Sequence, residues 1–307
     1  MKTNYECLII GCGPCGIGAA VKLKAANIDV AIIEKGAPGG KINIAPRVDN
    51  YPGQTKISGP DLAVIFFQRV MDANVEIIGD EVLSLTKEND VFNLKCAHGE
   101  YTAKTVIIAS GTTERKLNLD PQKEDYLLGR GLSYCAVCDG HFFKGQDILV
   151  VGGGNSALKE AIYLANICHH VTLIHRRNEF RGNQRTVQEL KELPNVTIMT
   201  PYIPLEIIGE DKVEGVRIKN VETEEETTLV VQGLFPLVGQ IPNTQFIDIE
   251  GVKDDYGSVP VDTKTMATSV PGLFAGGDPL PRLLKQIYLS EHDGTVAAES
   301  VIKYLGK

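Results

Sequence analysis

The 307-residue chain has no excess of positive charge, no long apolar run and no even set of cysteines. Each absence closes off a class of function. A net charge of −8 argues against a general binder of nucleic acid or anionic membrane, although it leaves room for a local basic patch. No apolar stretch approaches the roughly 20 residues of a membrane-spanning helix. The opening, "MKTNYECLIIG", runs within a few residues into a strand-like segment and leaves no room for a signal peptide. Seven cysteines, an odd number, without an export signal predict a reducing cytoplasm. A disulfide there is expected to be catalytic rather than structural. What is present is an ordinary globular balance, 43% hydrophobic and 23% charged, in a chain long enough for two domains.

The pattern along the chain is a repeat. Cys7 to Ile10 reads as a buried strand, Gly13 to Ala26 as a helix, and "DVAIIEKG" as a second strand ending in Glu34. Short alternating runs from Val75 to Ala109 predict a β-meander, closed by "TVIIASG". The order strand, glycine loop, helix, strand then recurs in "DILVVGGGNSALKEAIYLANICHHVTLIHRR". A second hairpin is predicted from Val213 to Val221 against Thr227 to Leu234, across the solvated acidic turn "ETEEE". Two such units predict an α/β protein with two Rossmann-like, three-layer dinucleotide-binding domains. The segment after Asn243 is too short for a third domain and carries "GLFAGGD" and a terminal helix. Its return to the first domain makes the second an insertion. The predicted domains are 1–117 with 245–307, and 118–244. The crossings, Thr112–Asn118 and Gly239–Thr244, are candidate hinges.

Each glycine loop follows a strand and opens a helix, which is the setting for a pyrophosphate at a helix N-terminus. The first is Gly11-x-Gly13-x-x-Gly16 and the second Gly152-x-Gly154-x-x-Ala157. Glu34 lies twenty-three residues after Gly11, where a carboxylate accepts hydrogen bonds from an adenosine ribose. The same count from Gly152 reaches His175, followed by Arg176 and Arg177, with Arg181 one turn on. A carboxylate repels a 2′-phosphate, whereas this cluster binds one through charge-assisted hydrogen bonds. The first site is therefore expected to hold FAD or NAD and the second NADP. A flavin is the economical choice for the first, because two nicotinamides leave no hydride acceptor. Asp278, at the end of "GLFAGGD", is placed to bond the ribityl hydroxyls.

Two Cys-x-x-Cys pairs compete for the redox role. Cys12 and Cys15 belong to the phosphate loop, where a cofactor leaves little room for thiol exchange, and they read as small packing residues. Cys135 and Cys138 in "YCAVCDG" lie outside both loops. Their i, i+3 spacing at a helix start puts both sulfurs on one face, and a helix N-terminus lowers a thiol pKa. Asp139 either shuttles the proton of thiol exchange or is a favourable first-turn charge. His141 stands alone near the pair, so no metal site is expected.

With "GCGPCG", "VDNYPG", "GRGLSYCAVCDGHFF", "GGGNSA", "HRRNEFR", "GQIPNT" and "GLFAGGD" together, the chain resembles the low-molecular-weight, bacterial-type thioredoxin reductases over nearly its whole length. The resemblance implies that NADPH reduces FAD, that the flavin reduces the Cys135–Cys138 disulfide, and that the dithiol reduces thioredoxin. Cys138 would face the flavin, Cys135 would attack or resolve with the partner, and Asp139 would be the acid/base. The FAD site implied comprises Gly11, Gly13, Pro14, Cys15, Gly16, Glu34, Lys35, Gly40, Lys41, Ile42 and Asn50. It continues through Val82, Ala109, Ser110, Gly111, Asp278, Lys285, Gln286 and Ile287. The NADPH site implied comprises Gly152, Gly154, Asn155, Ser156, Ala157, His175, Arg176, Arg177, Arg181 and Gly239. Arg130, Phe142 and Phe143 match positions that dock thioredoxin. A cytoplasmic homodimer with a swivelling NADPH domain is implied as well. Lys41 stands where the family usually has Gln, Lys285 where Arg is common, and "NIAPR" where a Thr-rich run is usual. The competing readings are another disulfide acceptor, such as a peroxiredoxin-like protein or a small molecule, another electron donor, and a flavin-containing sensor without turnover.

Overall fold

The computed structural model describes residues 2–45, 48–54 and 56–307. Pro46 and Arg47 of "NIAPR" lie outside the described residues. The chain divides into two units, Met1–Thr113 with Ile241–Lys307, and Glu114–Gln240.

In the first unit β1 (Asn4–Ile10), β2 (Val30–Glu34) and β3 (Glu76–Gly79) run parallel, with β1 between β2 and a long strand that closes the meander. Cys7, Leu8 and Ile9 of β1 are fully buried, as a central parallel strand covered on both faces requires. Helix α1 (Pro14–Ala25) follows the first glycine loop. Helix α2 (Gly59–Asp72) starts where the Ser58 hydroxyl accepts from the Asp61 amide. The antiparallel meander is β4 (Val82–Glu88), β5 (Val91–Cys96) and β6 (Glu100–Ile108). The second half of β6 pairs in parallel with β1 through to Ile108. The chain leaves this unit through β7 (Thr112–Glu114).

The second unit begins with α3 (Pro121–Leu127), capped by Asp120, and the single turn α4 (Ala136–Asp139). Then come β8 (Asp147–Val151), α5 (Asn155–Ala165), β9 (His170–Ile174), α6 (Gln184–Glu192) and β10 (Val196–Met199). An antiparallel sheet of β11 (Tyr202–Ile208), β12 (Gly215–Asn220) and β13 (Glu226–Leu229) follows. The last strand, β14 (Gly233–Pro236), joins the parallel sheet in the order β10-β9-β8-β14. The strand predicted from Thr227 to Leu234 is therefore two strands. Val230, 72% exposed, marks the break, beyond which Gly233 to Pro236 are buried and pair with β8.

The return strand β15 (Gln240–Pro242) pairs with β7, so the crossings form a two-stranded ribbon. Both divisions fall a few residues before 117/118 and 244/245, for a local reason. The amides of Leu117 and Leu119 donate to buried Glu124, which holds them in the second unit. Asn243 bonds Gly111 and Ser110, which holds it in the first. Strand β16 (Leu273–Ala275) then pairs with β6, and α7 (Ile287–Tyr304) packs along α1. That packing needs glycine: a Cβ on Gly294 would stand 1.9 Å from the Cys15 carbonyl oxygen. Among the described residues no helix is long and apolar enough to cross a membrane.

Candidate active site

The first glycine loop lies between β1 and α1. Gly11 has a φ of 107°, and a Cβ on Gly16 would stand 1.9 Å from the Gly11 oxygen, so the turn closes only without side chains. A Cβ on Gly13 would meet nothing within 4 Å, so that face is open. Gly13 is also the N-cap of α1, which has Pro14 in its first turn and no side-chain cap. Helices α2, α3 and α6 use Ser58, Asp120 and Asn183 for that purpose. The first-turn amides of α1 thus lack a side-chain acceptor of their own, as an anion site requires.

Around this loop the structure gathers several of the expected residues. Glu34 accepts the Cys12 amide at 2.6 Å and the Gly36 amide at 2.8 Å, so it pins the loop and keeps lone pairs for a ribose. Lys41 donates to the Thr112 hydroxyl at 2.7 Å and lies 3.5 Å from Asp278 Oδ2. Asn50 donates to the Gln286 side chain at 2.7 Å, between half-buried Lys285 and Ile287. The Ser110 hydroxyl is buried with no hydrogen-bond partner among the described residues, beside buried Ala109, and Gly111 opens onto free space. Gly40 and buried Ile42 sit in the 3-10 turn Gly40–Ile44. Lys35 instead pairs with Glu81 at 2.9 Å, and Val82 packs in the core. Open backbone, an orphaned hydroxyl and an acid at each end fit an extended polar cofactor. Cys12 and Cys15 are free, buried thiols; burial pushes the Cys12 thiol up to about 12 and the Cys15 thiol higher still.

The second loop repeats the design. Gly154 is the N-cap of α5, which lacks a side-chain cap, and a Cβ there would meet open space. Ser156 is exposed and Ala157 buried in the first turn, and Gly239 opens onto free space. Asn155 Oδ1 accepts the Asn183 amide at 2.8 Å and Gly182 bonds Gly153, which ties the arginine loop to the phosphate loop. At Gly152 a Cβ would stand 2.4 Å from the Leu237 oxygen. Arg176, Arg177 and Arg181 are exposed, and none forms a salt bridge among the described residues. His175 is placed differently from the arginines. Its ring lies over Gly153 and stacks on Phe180 at 5.2 Å. Burial, with the fields of the three arginines, holds its pKa below the ordinary value. The cationic contacts of this site therefore come from the arginines.

Cys135 and Cys138 form a disulfide with Cα atoms 5.3 Å apart. The edge of the parallel sheet positions their loop: Ser133 donates to the Leu234 oxygen at 3.0 Å, and Leu234 to Gly131 at 2.7 Å. Cys135 is the N-cap of α4, and its sulfur accepts the Cys138 amide at 3.2 Å. Because α4 is one turn long, this local donor replaces the helix field expected to favour the thiolate. Asp139 is 8% exposed. Burial pushes its carboxyl up, while the Ser133 hydroxyl and the His141 charge act against that. Arg130 is exposed and lies over the Tyr126 ring, and Phe142 is exposed beside His141. Phe143 is 8% exposed and packs edge-on against Phe235, so its ring belongs to the core, whereas the Phe142 ring is exposed.

Two polar groups beside the pair carry no local sequence signal, Ser133 and Glu160. Glu160, on α5, accepts the Ala136 amide at 2.9 Å. Burial pushes its carboxyl up to about 7 from an ordinary 4.5, and the Glu114 charge adds to this. At pH 4 the group is neutral whether folded or unfolded. Between about 4.5 and 7 the unfolded chain loses its proton first, so the cost to the fold grows with pH and then levels off. Glu160→Gln will therefore stabilise the fold at pH 8 by on the order of 1–3 kcal/mol, read as a higher thermal midpoint, with the gain gone near pH 4. Equal shifts in calorimetry at both pH values would show that its charge is not what burial penalises.

Comparison with known proteins places this geometry in a family. The profile of the pyridine nucleotide-disulphide oxidoreductase family matches residues 5–294. The chain is 37% identical to thioredoxin reductase of Mycoplasma pneumoniae, covering 97% of this chain and 94% of that one. It is 35% identical to the Bacillus subtilis thioredoxin reductase, covering 98% and 95%. The crystal structure of thioredoxin reductase from Streptococcus pyogenes superposes with a TM-score of 0.92 at 40% identity, covering 100% of this chain and 99% of that one. The two open glycine loops and the bridged cysteine pair thus belong to one recognised scaffold, and the chain is a member of the pyridine nucleotide-disulphide oxidoreductase family, among its thioredoxin reductases.

Proposed function

We propose that this protein is an NADPH-dependent flavoprotein disulfide reductase that passes electrons to thioredoxin. The observation that carries the reading is the Cys135–Cys138 disulfide beside buried Asp139, in a unit that also carries an uncapped glycine-loop helix. Family membership implies flavin and nicotinamide cofactors. FAD is favoured in the first cradle, where Glu34, Lys41, Ser110 and Asp278 surround an open loop. NADPH is favoured over NADH by exposed Arg176, Arg177 and Arg181, which form no salt bridge among the described residues. The chemistry these groups supply when bound is the relay of an electron pair to the disulfide.

The residues of the chain then handle sulfur and protons. Cys138 would be the sulfur that accepts electrons when the flavin is bound, and Cys135 the sulfur that engages the partner. The Cys135 thiolate attacks a sulfur of the partner disulfide, forming a mixed disulfide and expelling a partner thiolate. Cys138 then attacks Cys135, restoring the Cys135–Cys138 bond and releasing the second partner thiolate. Asp139 takes a proton from the attacking thiol and returns it to a leaving thiolate. The two protons of the enzyme dithiol end on the partner dithiol. Arg130 and Phe142 offer a charged and an apolar exposed contact for docking. A cytoplasmic homodimer follows the same family reading.

The purified protein will be yellow, its flavin absorbance will bleach on anaerobic addition of NADPH, and oxidised thioredoxin will restore it. A colourless protein that gains no flavin absorbance from added FAD would defeat the reading at its base. Bleaching that a small-molecule disulfide reverses and thioredoxin does not would move the acceptor.

A further inference from the structure

A serine two residues before the redox pair is buried in contact with both the proton carrier and the cysteine backbone. Ser133 is 2% exposed. Its hydroxyl donates to Asp139 Oδ2 at 2.6 Å and accepts the Cys135 amide at 3.1 Å. Asp139 Oδ1 is buried and has no partner among the described residues. One carboxylate oxygen is therefore held and the other is left bare. The Ser133 amide is itself fixed to Leu234 on β14, so the rotor is anchored in the parallel sheet.

We propose that Ser133 is a positioning residue for the dithiol step, holding Asp139 through Oδ2 so that Oδ1 is the oxygen that takes and returns the thiol proton. This rests on the proposed disulfide-reductase reading. A hydroxyl that both accepts from the Cys135 amide and donates to Asp139 fixes the distance between acid/base and nucleophile in one residue. It has a second consequence. The Ser133 donor favours the carboxylate, and burial opposes it. Without that donor, Asp139 holds its proton to higher pH and is a poorer base at neutrality. The other charged neighbours are His141 in the following 3-10 turn, whose field favours the carboxylate, and Glu160 on α5, which grips the Ala136 amide. Neither bonds Ser133, so both remain when it is changed.

The test is a pH profile of one half-reaction in the holoenzyme. Parent, Ser133→Ala, Asp139→Asn and the double variant are reduced anaerobically with NADPH and mixed with oxidised thioredoxin in a stopped flow. Loss of a hydrogen bond to a charged group predicts a partner-reduction rate about ten- to hundred-fold lower for Ser133→Ala at pH 7. The rising limb of its profile moves to higher pH. On the Asp139→Asn background, Ser133→Ala adds no further loss, because the group it serves is gone. Flavin bleaching by NADPH is read in the same samples. If the parent does not bleach, the disulfide-reductase reading fails, which is a different result. If parent and variant bleach alike but the variant keeps the parental rate and pH profile, the assignment of Ser133 is overturned. Additive losses in the double variant, or bleaching lost together with partner reduction, would also overturn it by showing a general structural role.

Discussion

Cys138→Ser will keep flavin reduction by NADPH and lose thioredoxin reduction by more than about a thousand-fold, as removal of a covalent redox centre does. The substitution deletes the sulfur that takes electrons and leaves both glycine loops untouched. No other thiol can take its place. Cys7, Cys12, Cys15, Cys96 and Cys168 are all buried. Burial pushes the Cys12 thiol up to about 12, so at pH 7 it stays protonated and is a poor nucleophile. Cys135→Ser will also stop partner reduction, but it leaves Cys138 as a free thiol able to perturb the flavin spectrum. Rapid-mixing spectra of the two variants separate these roles. Substantial thioredoxin turnover in Cys138→Ser would mean that another pair carries the electrons.

The second large effect concerns the choice of nucleotide. Replacing both Arg176 and Arg177 with Ala will raise the KM for NADPH by about ten- to hundred-fold for each lost phosphate contact and barely change that for NADH. The two guanidiniums are exposed and have no acidic partner among the described residues, so their removal costs little stability. His175→Ala should behave differently. Its ring stacks on Phe180 and covers Gly153, so its loss loosens the loop for either nucleotide. Steady-state kinetics with both nucleotides check this. Equal losses with NADPH and NADH in the arginine variant would reduce the arginines to a structural role.

The sequence was most informative where the chemistry demands a local pattern. Gly11, Gly16 and Gly152 are forced by approaches that a side chain would block, and such positions recur at fixed spacing after a strand. Glu34 at the end of β2 and His175 just after β9 sit at one offset from their loops because strands of equal length and helices one residue different in length separate them, and the arginines follow His175 directly. What stayed hidden depends on burial. Phe142 and Phe143 are adjacent and chemically identical, yet one is exposed and the other fills the space left by Gly233. Ser133 lies six residues from Asp139, and Glu160 twenty-four from Ala136, spacings that announce no contact. The strand from Thr227 to Leu234 read as continuous because both halves are rich in β-formers. Only the competition between β12 and β8 for pairing divides it.

Electrons are predicted to leave through the Cys135–Cys138 pair and through no other cysteines. The direct measurement is alkylation of the native holoenzyme, with the labelled residues located by mass spectrometry before NADPH, after NADPH, and after oxidised thioredoxin. Before NADPH both cysteines should be unlabelled. After it, both should carry the label, and oxidised thioredoxin added before the alkylating agent should return them to the unlabelled disulfide. Cys12 and Cys15 should stay unlabelled throughout. If NADPH leaves Cys135 and Cys138 unlabelled, or if thioredoxin reverses labelling at Cys12 and Cys15 instead, the electrons leave by another route.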